Sequence, residues 1–481
     1  MRETEGEAMG VGHAIARSVF KAYDVRGVVD EALTESAVYR IGHALGTEAR
    51  ECGVSAVVVG RDGRVSGERL LNALAQGIIQ AGVDVIDLGM VPTPVVYFAT
   101  RYLGTGSGIA VTGSHNPPQH NGLKMMLAGE TLYGERIVRL YERIVAEKLH
   151  TASQTGQITQ ANVLPAYLDA IQNDVQLARP MKIAIDCGNG VGGVAAVDVF
   201  TRLGCEVRPL FCEVDGTFPN HHPDPSDPHN LIDLQQVLLE GDAEVGLAFD
   251  GDADRLGVVT KDGQSIYADR VMMLFERDLL KTNQGAQVVF DAKCSAHLPP
   301  CIVASGGQPV MWKTGHSLMK AKLRELGRGA VFAGEMSGHF YFNDRWAGFD
   351  DGLYAGARLL ELLSQCAPTH HGDALNGGVS AVLNGLPQGV STPEINLHIQ
   401  EGEGVSLVAA FKAHAVFDAV LNAVDGLRYD FTDGFGLIRA SNTTAVVVLR
   451  FEASDEVALA RIQSAFRGVL RLIAPELNVP F

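Results

Sequence analysis

The sequence predicts an α/β protein of several domains, in which short buried strands alternate with amphipathic helices. Apolar runs at residues 54–59, 83–88 and 109–111 are typical of strands, and residues 69–81 between them have helical spacing. The length of 481 residues allows roughly three to four domains. From about residue 377 the pattern changes to short strands and a helix at 454–474, which indicates a smaller α+β domain.

These patterns divide the chain into four predicted domains. The first α/β domain covers residues 12–160, and the second covers 161–264 and opens with a strand at 181–186. The third covers 265–376, with strands at 287–290 and 330–333, and the α+β domain covers 377–481. Residues 1–18 match no interpretable pattern, and an insertion is expected within 380–425.

Composition excludes several classes of function. The formal net charge of −17 disfavours binding to nucleic acid and the bulk attraction of anionic substrates. No segment supplies the roughly eighteen uninterrupted apolar residues of a membrane span. The acidic N-terminal segment lacks the apolar stretch of a secretory signal, and the seven cysteines lack metal-ligand spacing. We therefore expect a cytoplasmic protein without a membrane or nucleic-acid partner.

The most informative segment is Thr-Gly-Ser-His-Asn-Pro-Pro at residues 112–118. Gly113 permits unusual backbone angles, and the two prolines prevent a helix, so the segment predicts a rigid loop that exposes the hydroxyl of Ser114. His115 and Lys124 add polar and cationic groups nearby. A fixed oxygen nucleophile beside positive charge suits phosphoryl transfer. Alone, the segment could equally be an ordinary turn.

A second segment, residues 249–255, places three aspartates at alternate positions between two apolar runs. Asp250, Asp252 and Asp254 are expected in a loop between strands, where alternation turns them to one side. Three converging carboxylates suit Mg²⁺. An EF-hand is excluded because Arg255 and Lys261 stand where that loop requires Gly and Glu. The remaining alternative is a solvated acidic turn, against which the adjacent Arg255 argues.

Two further segments suggest binding of a phosphorylated sugar. In Gly-Glu-Met-Ser-Gly-His at residues 334–339, an extended chain would point Glu335 and Ser337 the same way, toward sugar hydroxyls. His339 could move a proton near neutral pH. Residues 439–444 combine Arg439 with hydroxyl, amide and backbone N–H groups before a strand, which suits a phosphate. Either segment could instead be a polar turn.

Two other motifs indicate different functions. Residues 188–193 fit the G-x-G-x-x-G fingerprint of dinucleotide-binding proteins, but a lone glycine fingerprint is weak. Residues 221–229 carry histidines and aspartates that resemble zinc ligands. This proline-rich loop lacks an H-E-x-x-H helix, so we interpret it as structural or substrate-adjacent.

Taken in order, the four segments resemble the α-D-phosphohexomutase superfamily, and within it the bacterial phosphomannomutase/phosphoglucomutase branch. The likeness runs from about residue 20 to near the C-terminus. Further matching segments are residues 21–27, 215–220, 291–294 and 312–316. Ala445 departs from the family pattern, which often has proline there. The resemblance implies three domains of one fold and a fourth that is a mobile lid, arranged around a central cleft.

The resemblance also implies site roles. Ser114 would carry a phosphoryl group, and a phosphoserine oxygen with Asp250, Asp252 and Asp254 would hold Mg²⁺. Arg255, Lys124, Arg26 and His115 would stabilise the transferring group, and Glu335 and Ser337 would bind the sugar 3- and 4-hydroxyls. His339 matches a residue of the family that is proposed as the acid/base, and Lys124 and Arg26 are the other candidates for that role. The implied clamp for the second phosphate consists of Tyr23, Lys293, His316, Arg439, Ser441, Asn442 and Thr443.

The implied activity is the interconversion of hexose 1-phosphate and hexose 6-phosphate, with mannose or glucose as the sugar. It proceeds through a phosphoserine enzyme and a hexose 1,6-bisphosphate, which also serves as activator, and the enzyme is expected to be a monomer. Three alternatives remain: a phosphohydrolase, a phosphoglucosamine mutase and a non-catalytic sugar-phosphate sensor. Met336 favours the mannose/glucose branch, because glutamine is usual there in the amino-sugar branch.

Overall fold

The computed structural model describes residues 15–367, 378–400, 402–441 and 445–481. Within these ranges the strands form four sheets: three mix parallel and antiparallel strands, and the last is antiparallel. The predicted fold class, three similar α/β units and a smaller α+β unit, is confirmed. Among the described helices none is both long and apolar enough to cross a membrane.

The first unit is an α/β layer structure. Its elements are β1 (Val25–Val28), α1 (Glu35–Glu51), β2 (Ala56–Arg61), α2 (Gly67–Gln80), β3 (Asp84–Met90), α3 (Thr93–Tyr102), β4 (Gly108–Val111), β5 (His120–Leu127), β6 (Glu130–Thr131), α4 (Glu135–Val145) and β7 (Ile158–Gln160). The strand order in its sheet is β1-β5-β4-β2-β3-β7, with β6 paired to β5. The Thr34 side chain starts α1 by accepting the Ala37 N–H at 3.1 Å. Apolar faces of α1 and α2 pack beneath the sheet.

The second unit follows the same plan. Its sheet order is β12-β11-β10-β8-β9, and its elements are α5 (Leu164–Asp174), β8 (Lys182–Asp186), α6 (Ala196–Arg202), β9 (Glu206–Leu210), α7 (Ile232–Glu240), β10 (Val245–Phe249), β11 (Leu256–Thr260) and β12 (Ser265–Ile266). Every residue of β10 is buried, as expected for an apolar strand between two neighbours.

The third unit has the sheet order β14-β13-β15-β16. Its elements are α8 (Ala268–Thr282), β13 (Gln287–Asp291), α9 (Leu298–Ala304), β14 (Gln308–Trp312), α10 (His316–Leu326), β15 (Ala330–Gly334), β16 (Phe340–Phe342) and α11 (Gly352–Leu363). A continuous apolar core joins the second and third units, and it includes Phe200, Phe249 and Phe332.

The fourth unit is an antiparallel sheet of order β17-β22-β21-β20-β19, with β18 also paired to β22. Its elements are α12 (Gly378–Asn384), β17 (Val390–Ser391), β18 (Ile395–His398), α13 (Glu403–His414), β19 (Val420–Asn422), β20 (Leu427–Phe431), β21 (Gly434–Ala440), β22 (Val446–Ala453) and α14 (Glu456–Ile473). Asp455 caps α14 by accepting the Ala458 N–H at 2.8 Å.

The first three sheets repeat one strand order, in which an antiparallel strand borders a parallel core. The equivalent series are β5-β4-β2-β3, β11-β10-β8-β9 and β16-β15-β13-β14. The connection into the antiparallel strand therefore occupies the same place in each unit. These connections are residues 112–119, 250–255 and 335–339, which hold the predicted serine, aspartate and glutamate–serine segments.

Candidate active site

The predicted segments converge on a cleft of about 650 Å³ lined by residues of all four units. Its lining includes most of the predicted site residues: Tyr23, Arg26, Ser114, His115, Lys124, Arg255, Lys293, His316, Glu335, Ser337, His339, Arg439 and Ser441. The predicted phosphate ligands Asn442 and Thr443 lie outside the described residues.

Ser114 is held at the floor of the cleft. Its φ of 49° lies in the left-handed region, which a non-glycine residue rarely adopts. The hydroxyl donates to Asp250 Oδ2 at 2.9 Å and lies 3.1 Å from Nδ1 of His115. The residue is only 2% exposed, so the prediction of an exposed hydroxyl was wrong: the aspartate loop packs directly onto it.

The three aspartates lie in the turn between β10 and β11, and all are fully buried. The extended alternation predicted for them was wrong, because Ala253 has a φ of 62° and its N–H closes a turn onto the Asp250 carbonyl at 3.0 Å. The turn still gathers the carboxylates, with one oxygen of each within 4.8 Å of the others. Convergence therefore comes from the turn, not from strand periodicity.

Cationic and hydroxyl groups of the first unit contact these carboxylates. Lys124 Nζ donates to Asp252 Oδ2 at 2.8 Å and to Asp254 Oδ2. The Thr93 hydroxyl donates to Asp252 Oδ2 at 2.6 Å. Burial acts to lower the pKa of Lys124, but the carboxylates of Asp252 and Asp254 outweigh burial and raise that pKa overall. Lys124 is accordingly a permanent cation at neutral pH.

The cluster fits a divalent cation. Burial raises the pKa of Asp250 well above its usual range, and the charges of Asp252 and Asp254 raise it further. Oδ1 of Asp252 is buried and has no hydrogen-bond partner among the described residues, and the buried Oδ1 of Asp254 contacts Nε2 of His339 at 3.3 Å. Buried carboxylate oxygens that converge are hard ligands suited to Mg²⁺.

Other positive charge surrounds the serine. Arg255 Nε lies 3.8 Å from Asp250 Oδ2, and Arg26 donates to Asn116 Oδ1 at 3.2 Å and to Asp24 at 2.6 Å. Burial, reinforced by Arg255 and Arg26, lowers the pKa of His115 well below its ordinary value. His115 is therefore a neutral imidazole at physiological pH.

The glutamate–serine segment is a tight turn, and the prediction of an extended chain was wrong here too. The Gly338 N–H closes the turn onto the Glu335 carbonyl at 3.0 Å. Buried Glu335 accepts from the Tyr341 hydroxyl at 2.5 Å and the Gly315 N–H at 2.6 Å, so its carboxylate is fixed. Ser337 Oγ instead lies 2.9 Å from Nδ1 of His339.

His339 links the glutamate–serine turn to the aspartate loop. Its Nε2 lies 3.3 Å from Asp254 Oδ1, and the residue bridges to Arg255 through an isolated pair of backbone contacts. The imidazole therefore lies between the turn and the acidic cluster, where it could transfer a proton.

The far end of the cleft carries cations that face carboxylates of the fourth unit. Lys293 Nζ donates to Glu394, and Arg439 Nε lies 3.0 Å from Asp425 Oδ2. Nη2 of Arg439 is buried without a hydrogen-bond partner among the described residues. These groups suit an anion that supplies the missing acceptor.

His316 adds a neutral donor to the cleft, where its ring centroid lies 5.7 Å from that of Tyr23 and 6.3 Å from that of His339. Its Nδ1 lies 3.0 Å from Lys320 Nζ, which can only donate, so Nδ1 accepts and the proton lies on Nε2. Burial, with Lys320, lowers the pKa of His316 well below its ordinary value. Nε2 is buried and has no hydrogen-bond partner in the part of the chain described.

Sequence reasoning missed several residues that shape the site. Asp62 and Arg64 form a buried ion pair beneath the serine loop, with Arg64 Nε 3.1 Å from Asp62 Oδ2. They follow β2, which is parallel to β4, so both connections emerge at the same edge of the sheet. The position of these charged residues directly after a predicted strand was a signal in the sequence that could have identified them. The sequence gives no such signal for Glu394 and Asp425, because their contacts depend on the packing of the fourth unit.

The first competing motif packs against the aspartate loop, and residues 224–228 of the second line the cleft. Residues 188–193 approach the aspartate loop closely, since a methyl group at Gly190 would lie 2.9 Å from the Gly251 Cα atom. His221 Nε2 contacts the Asp186 carboxylate at 3.1 Å. Neither residue belongs to a metal-ligand cluster among the described residues.

Comparison with known proteins identifies the architecture. Family models described as phosphoglucomutase/phosphomannomutase, α/β/α domains I, II and III and C-terminal domain, match residues 17–150, 165–263, 267–376 and 394–469. The phosphomannomutase/phosphoglucomutase of Pseudomonas aeruginosa is 50% identical over 466 residues, covering 96% of this chain and 98% of that protein. The phosphoglucomutase of Neisseria meningitidis is 51% identical over 459 residues, with coverages of 95% and 97%.

A solved structure is equally similar. The crystal structure of a phosphoglucomutase/phosphomannomutase family protein from Burkholderia thailandensis has 52% sequence identity and a TM-score of 0.90, covering 97% of this chain and all of that one.

Proposed function

The chain belongs to the phosphoglucomutase/phosphomannomutase family and is a hexose-phosphate mutase, and on that premise we propose that Ser114 carries the phosphoryl group between the two ends of the sugar. The observation that carries this proposal is the 2.9 Å contact between Ser114 Oγ and Asp250 Oδ2. It brings the nucleophile of one unit to the acidic cluster of the next, as phosphoryl transfer requires.

The proposed reaction has two transfers. Phosphoserine 114 gives its phosphoryl group to the free hydroxyl of a hexose monophosphate; the hydroxyl proton passes to a base, and the released Ser114 oxygen takes up a proton. The resulting hexose 1,6-bisphosphate turns around in the cleft and returns its other phosphoryl group to Ser114, whose hydroxyl loses its proton as the released sugar oxygen gains one. The net reaction moves the phosphate between C1 and C6 and leaves the enzyme phosphorylated. Bisphosphate that escapes leaves Ser114 unphosphorylated, and added bisphosphate acts as an activator by phosphorylating it again.

Asp250, Asp252 and Asp254 would hold Mg²⁺ together with an oxygen of the phosphoserine. The ion would supply charge neutralisation to the transferring group. The support for this assignment is the convergence of the three buried carboxylates within 4.8 Å, together with the unpaired Oδ1 of Asp252.

The neighbouring residues divide the remaining work. Lys124, Arg26 and Arg255 supply fixed positive charge, and neutral His115 contacts the serine oxygen at 3.1 Å. Lys124 is a poor base, because two carboxylates hold its proton. His339 is the better acid/base candidate, since it joins Ser337 of the sugar segment to Asp254 of the reacting end.

The far end would hold the phosphate that is not reacting. Lys293 and Arg439 provide charge, and the Nε2–H of His316 provides a neutral donor. Tyr23 packs against His316 with the ring centroids 5.7 Å apart and fixes that edge of the clamp. Ser441, Asn442 and Thr443 complete the proposed clamp.

Glu335 and Ser337 would bind the 3- and 4-hydroxyls of the sugar. These two hydroxyls roughly exchange places when the bisphosphate turns, so one site can serve both orientations. Glucose and mannose differ at C2 alone, and we therefore propose that both are substrates.

A rate comparison tests this function. The enzyme is given Mg²⁺, a trace of the matching bisphosphate and, in separate assays, glucose 1-phosphate, mannose 1-phosphate or glucosamine 1-phosphate. We expect the first two to be converted to 6-phosphates at comparable rates and the amino sugar much more slowly. Rapid release of inorganic phosphate without isomerisation would contradict a mutase and support a phosphohydrolase.

The proposal also includes domain limits at 12–160, 161–264, 265–376 and 377–481, a monomeric enzyme and a cytoplasmic location. The extents of the four family models support the division of the chain. Light scattering on the purified protein tests the monomer.

A further inference from the structure

We propose that Arg64 is a positioning residue for phosphoryl transfer, because its guanidinium group fixes the backbone on which Ser114 stands. The inference rests on the proposal that Ser114 carries the phosphoryl group. Arg64 does not line the cleft and is 1% exposed, so it acts through the serine loop and not on the substrate.

The guanidinium group binds the loop at four carbonyl oxygens. Nη1 donates to Pro117 at 2.6 Å and to His120 at 3.0 Å. Nη2 donates to Ser114 at 2.8 Å and to Asn116 at 2.5 Å. The four acceptors extend from Ser114 to His120, the first residue of β5, so one side chain fixes most of the connection between β4 and β5.

Asp62 completes the arrangement. Its Oδ2 accepts from Arg64 Nε at 3.1 Å, which uses the last of the five N–H groups of the guanidinium. The same oxygen accepts from the Thr112 hydroxyl at 2.8 Å and the Gly113 N–H at 3.1 Å. Thr112 Oγ1 in turn accepts the Ser114 N–H at 2.8 Å. Both backbone polar groups of Ser114 are therefore held, directly or through Thr112, by the Asp62–Arg64 pair.

The pair also sets the first unit against the second. The Arg64 guanidinium lies over the ring of Phe218, 5.1 Å from its centroid. A methyl group at Gly216 would lie 2.5 Å from the Gly63 carbonyl oxygen, so the two backbones touch. Arg64 thus has the serine loop on one side and a segment of the second unit on the other.

The aspartate loop presses on the same carbonyl that Arg64 binds. A methyl group at Gly251 would lie 2.3 Å from the Ser114 carbonyl oxygen, and the Arg64 Nη2 donor lies 2.8 Å from that oxygen. The Ser114 carbonyl is therefore confined between the guanidinium and the aspartate loop. This confinement fixes how far the serine hydroxyl lies from the acidic cluster.

Two physical arguments predict a large effect on rate. Ser114 has a φ of 49°, a conformation that needs external support. A displacement of reacting atoms by about 1 Å can lower a rate about 100-fold. Lysine cannot replace the guanidinium, because three donors on one nitrogen cannot reach four carbonyls and a carboxylate.

The test compares R64M and R64K with the wild-type enzyme and with R358M. Arg358 is also a buried, ion-paired arginine, 3.0 Å from Asp344, but it lies on α11 and does not line the cleft. The measurements are kcat and KM for glucose 1-phosphate, thermal unfolding, amide hydrogen exchange of peptides covering 113–121, and phosphorylation of Ser114 by glucose 1,6-bisphosphate.

We expect R64M to lower kcat about 100-fold with little change in KM, to accelerate exchange at 113–121 and to slow phosphorylation of Ser114. R64K should lower kcat about 10-fold or more and should lower the melting temperature while the protein still folds, because lysine keeps the charge but leaves some buried carbonyls without a donor. R358M should lose thermal stability while kcat and exchange at 113–121 stay at wild-type values.

Wild-type kcat in a folded R64M protein would overturn the inference. If R64M does not fold, R64K decides: wild-type kcat and exchange in R64K would overturn it equally. A failure of the underlying function has a different signature, because Ser114 of the wild-type enzyme would then take up no phosphoryl group from the bisphosphate.

Discussion

The two ends of the cleft hold their charges in different ways. At the reacting end, Ser114 and the aspartates are buried, and backbone atoms of the two loops touch. At the far end, Lys293 and Arg439 contact the side chains of Glu394 and Asp425, which are 38% and 12% exposed. An ion pair with one partner near solvent, such as Lys293–Glu394, exchanges partners more easily than interlocked backbones do.

The difference fits the two tasks of the enzyme. In the proposed mechanism, chemistry occurs at one end in every half-reaction, so preorganisation there would lower the barrier each time. The far end would release and rebind a phosphate whenever the bisphosphate turns. Carboxylates that contact its cations can be replaced by the substrate phosphate and can return when the phosphate leaves.

The largest expected effect is at the reacting end. S114A should lower kcat on the order of 10⁴-fold or more, because the phosphoryl carrier is removed. Turnover is measured with glucose 1-phosphate and glucose 1,6-bisphosphate, and circular dichroism checks the fold. Near-normal turnover by the folded variant would refute the assignment of Ser114.

The next effect concerns the acidic cluster. D252N should lower kcat about 100-fold and raise the Mg²⁺ concentration for half-maximal activity about 10-fold or more, since one ligand loses its charge. Activity is titrated with Mg²⁺, with D278N as the matched control, because Asp278 is a partly exposed aspartate on α8. An unchanged Mg²⁺ titration in D252N would show that the cluster is not the metal site.

A smaller effect, mainly on KM, is expected at the far end. R439M should raise KM for glucose 1-phosphate about 10- to 100-fold, the worth of charge-assisted hydrogen bonds to one phosphate, with a smaller change in kcat. R461M removes an arginine that is 52% exposed on α14 and serves as control. A decrease in kcat alone would mean that Arg439 takes part in phosphoryl transfer, and it would contradict the proposed difference between the two ends of the cleft.

The smallest expected effect tests whether the carboxylates at the far end of the cleft exchange with the substrate phosphate. E394Q should lower KM about two- to five-fold, because Lys293 no longer gives up an ion pair to bind phosphate. The change in KM is measured from initial rates over a range of glucose 1-phosphate concentrations. Wild-type rates measured while only the bisphosphate concentration is varied serve as the reference. A higher KM in E394Q would mean that Glu394 orients Lys293 and does not compete with substrate.

The sequence predicted the local elements better than the contacts between them. The helix predicted at 454–474 is α14, Glu456–Ile473, and the strand at 287–290 is β13, Gln287–Asp291. Periodicity and capping residues such as Asp455 decide these elements locally. The conformation of the functional loops was predicted wrongly at Asp250–Asp254 and at Glu335–Ser337, because tight turns replace extended chain there.

Tertiary packing determines the contacts that we did not predict from the sequence. Buried Arg64 lies 50 residues before the serine loop that it binds, and Glu394 lies 101 residues after Lys293. No local pattern encodes such pairs. The segments themselves were identified from the chemical properties of their serine, aspartate and glutamate side chains. The repeated strand order explains why the segments meet, because each occupies the same connection in its own sheet.

The most direct test of the account follows the phosphoryl group itself. The enzyme is phosphorylated with labelled bisphosphate, freed of excess reagent and mixed with glucose 1-phosphate and Mg²⁺, and the label is followed on the Ser114 peptide and in the products. We predict that the label leaves Ser114 as fast as the enzyme turns over and is found in glucose 1,6-bisphosphate. Label absent from Ser114, or released only as inorganic phosphate, would contradict the account.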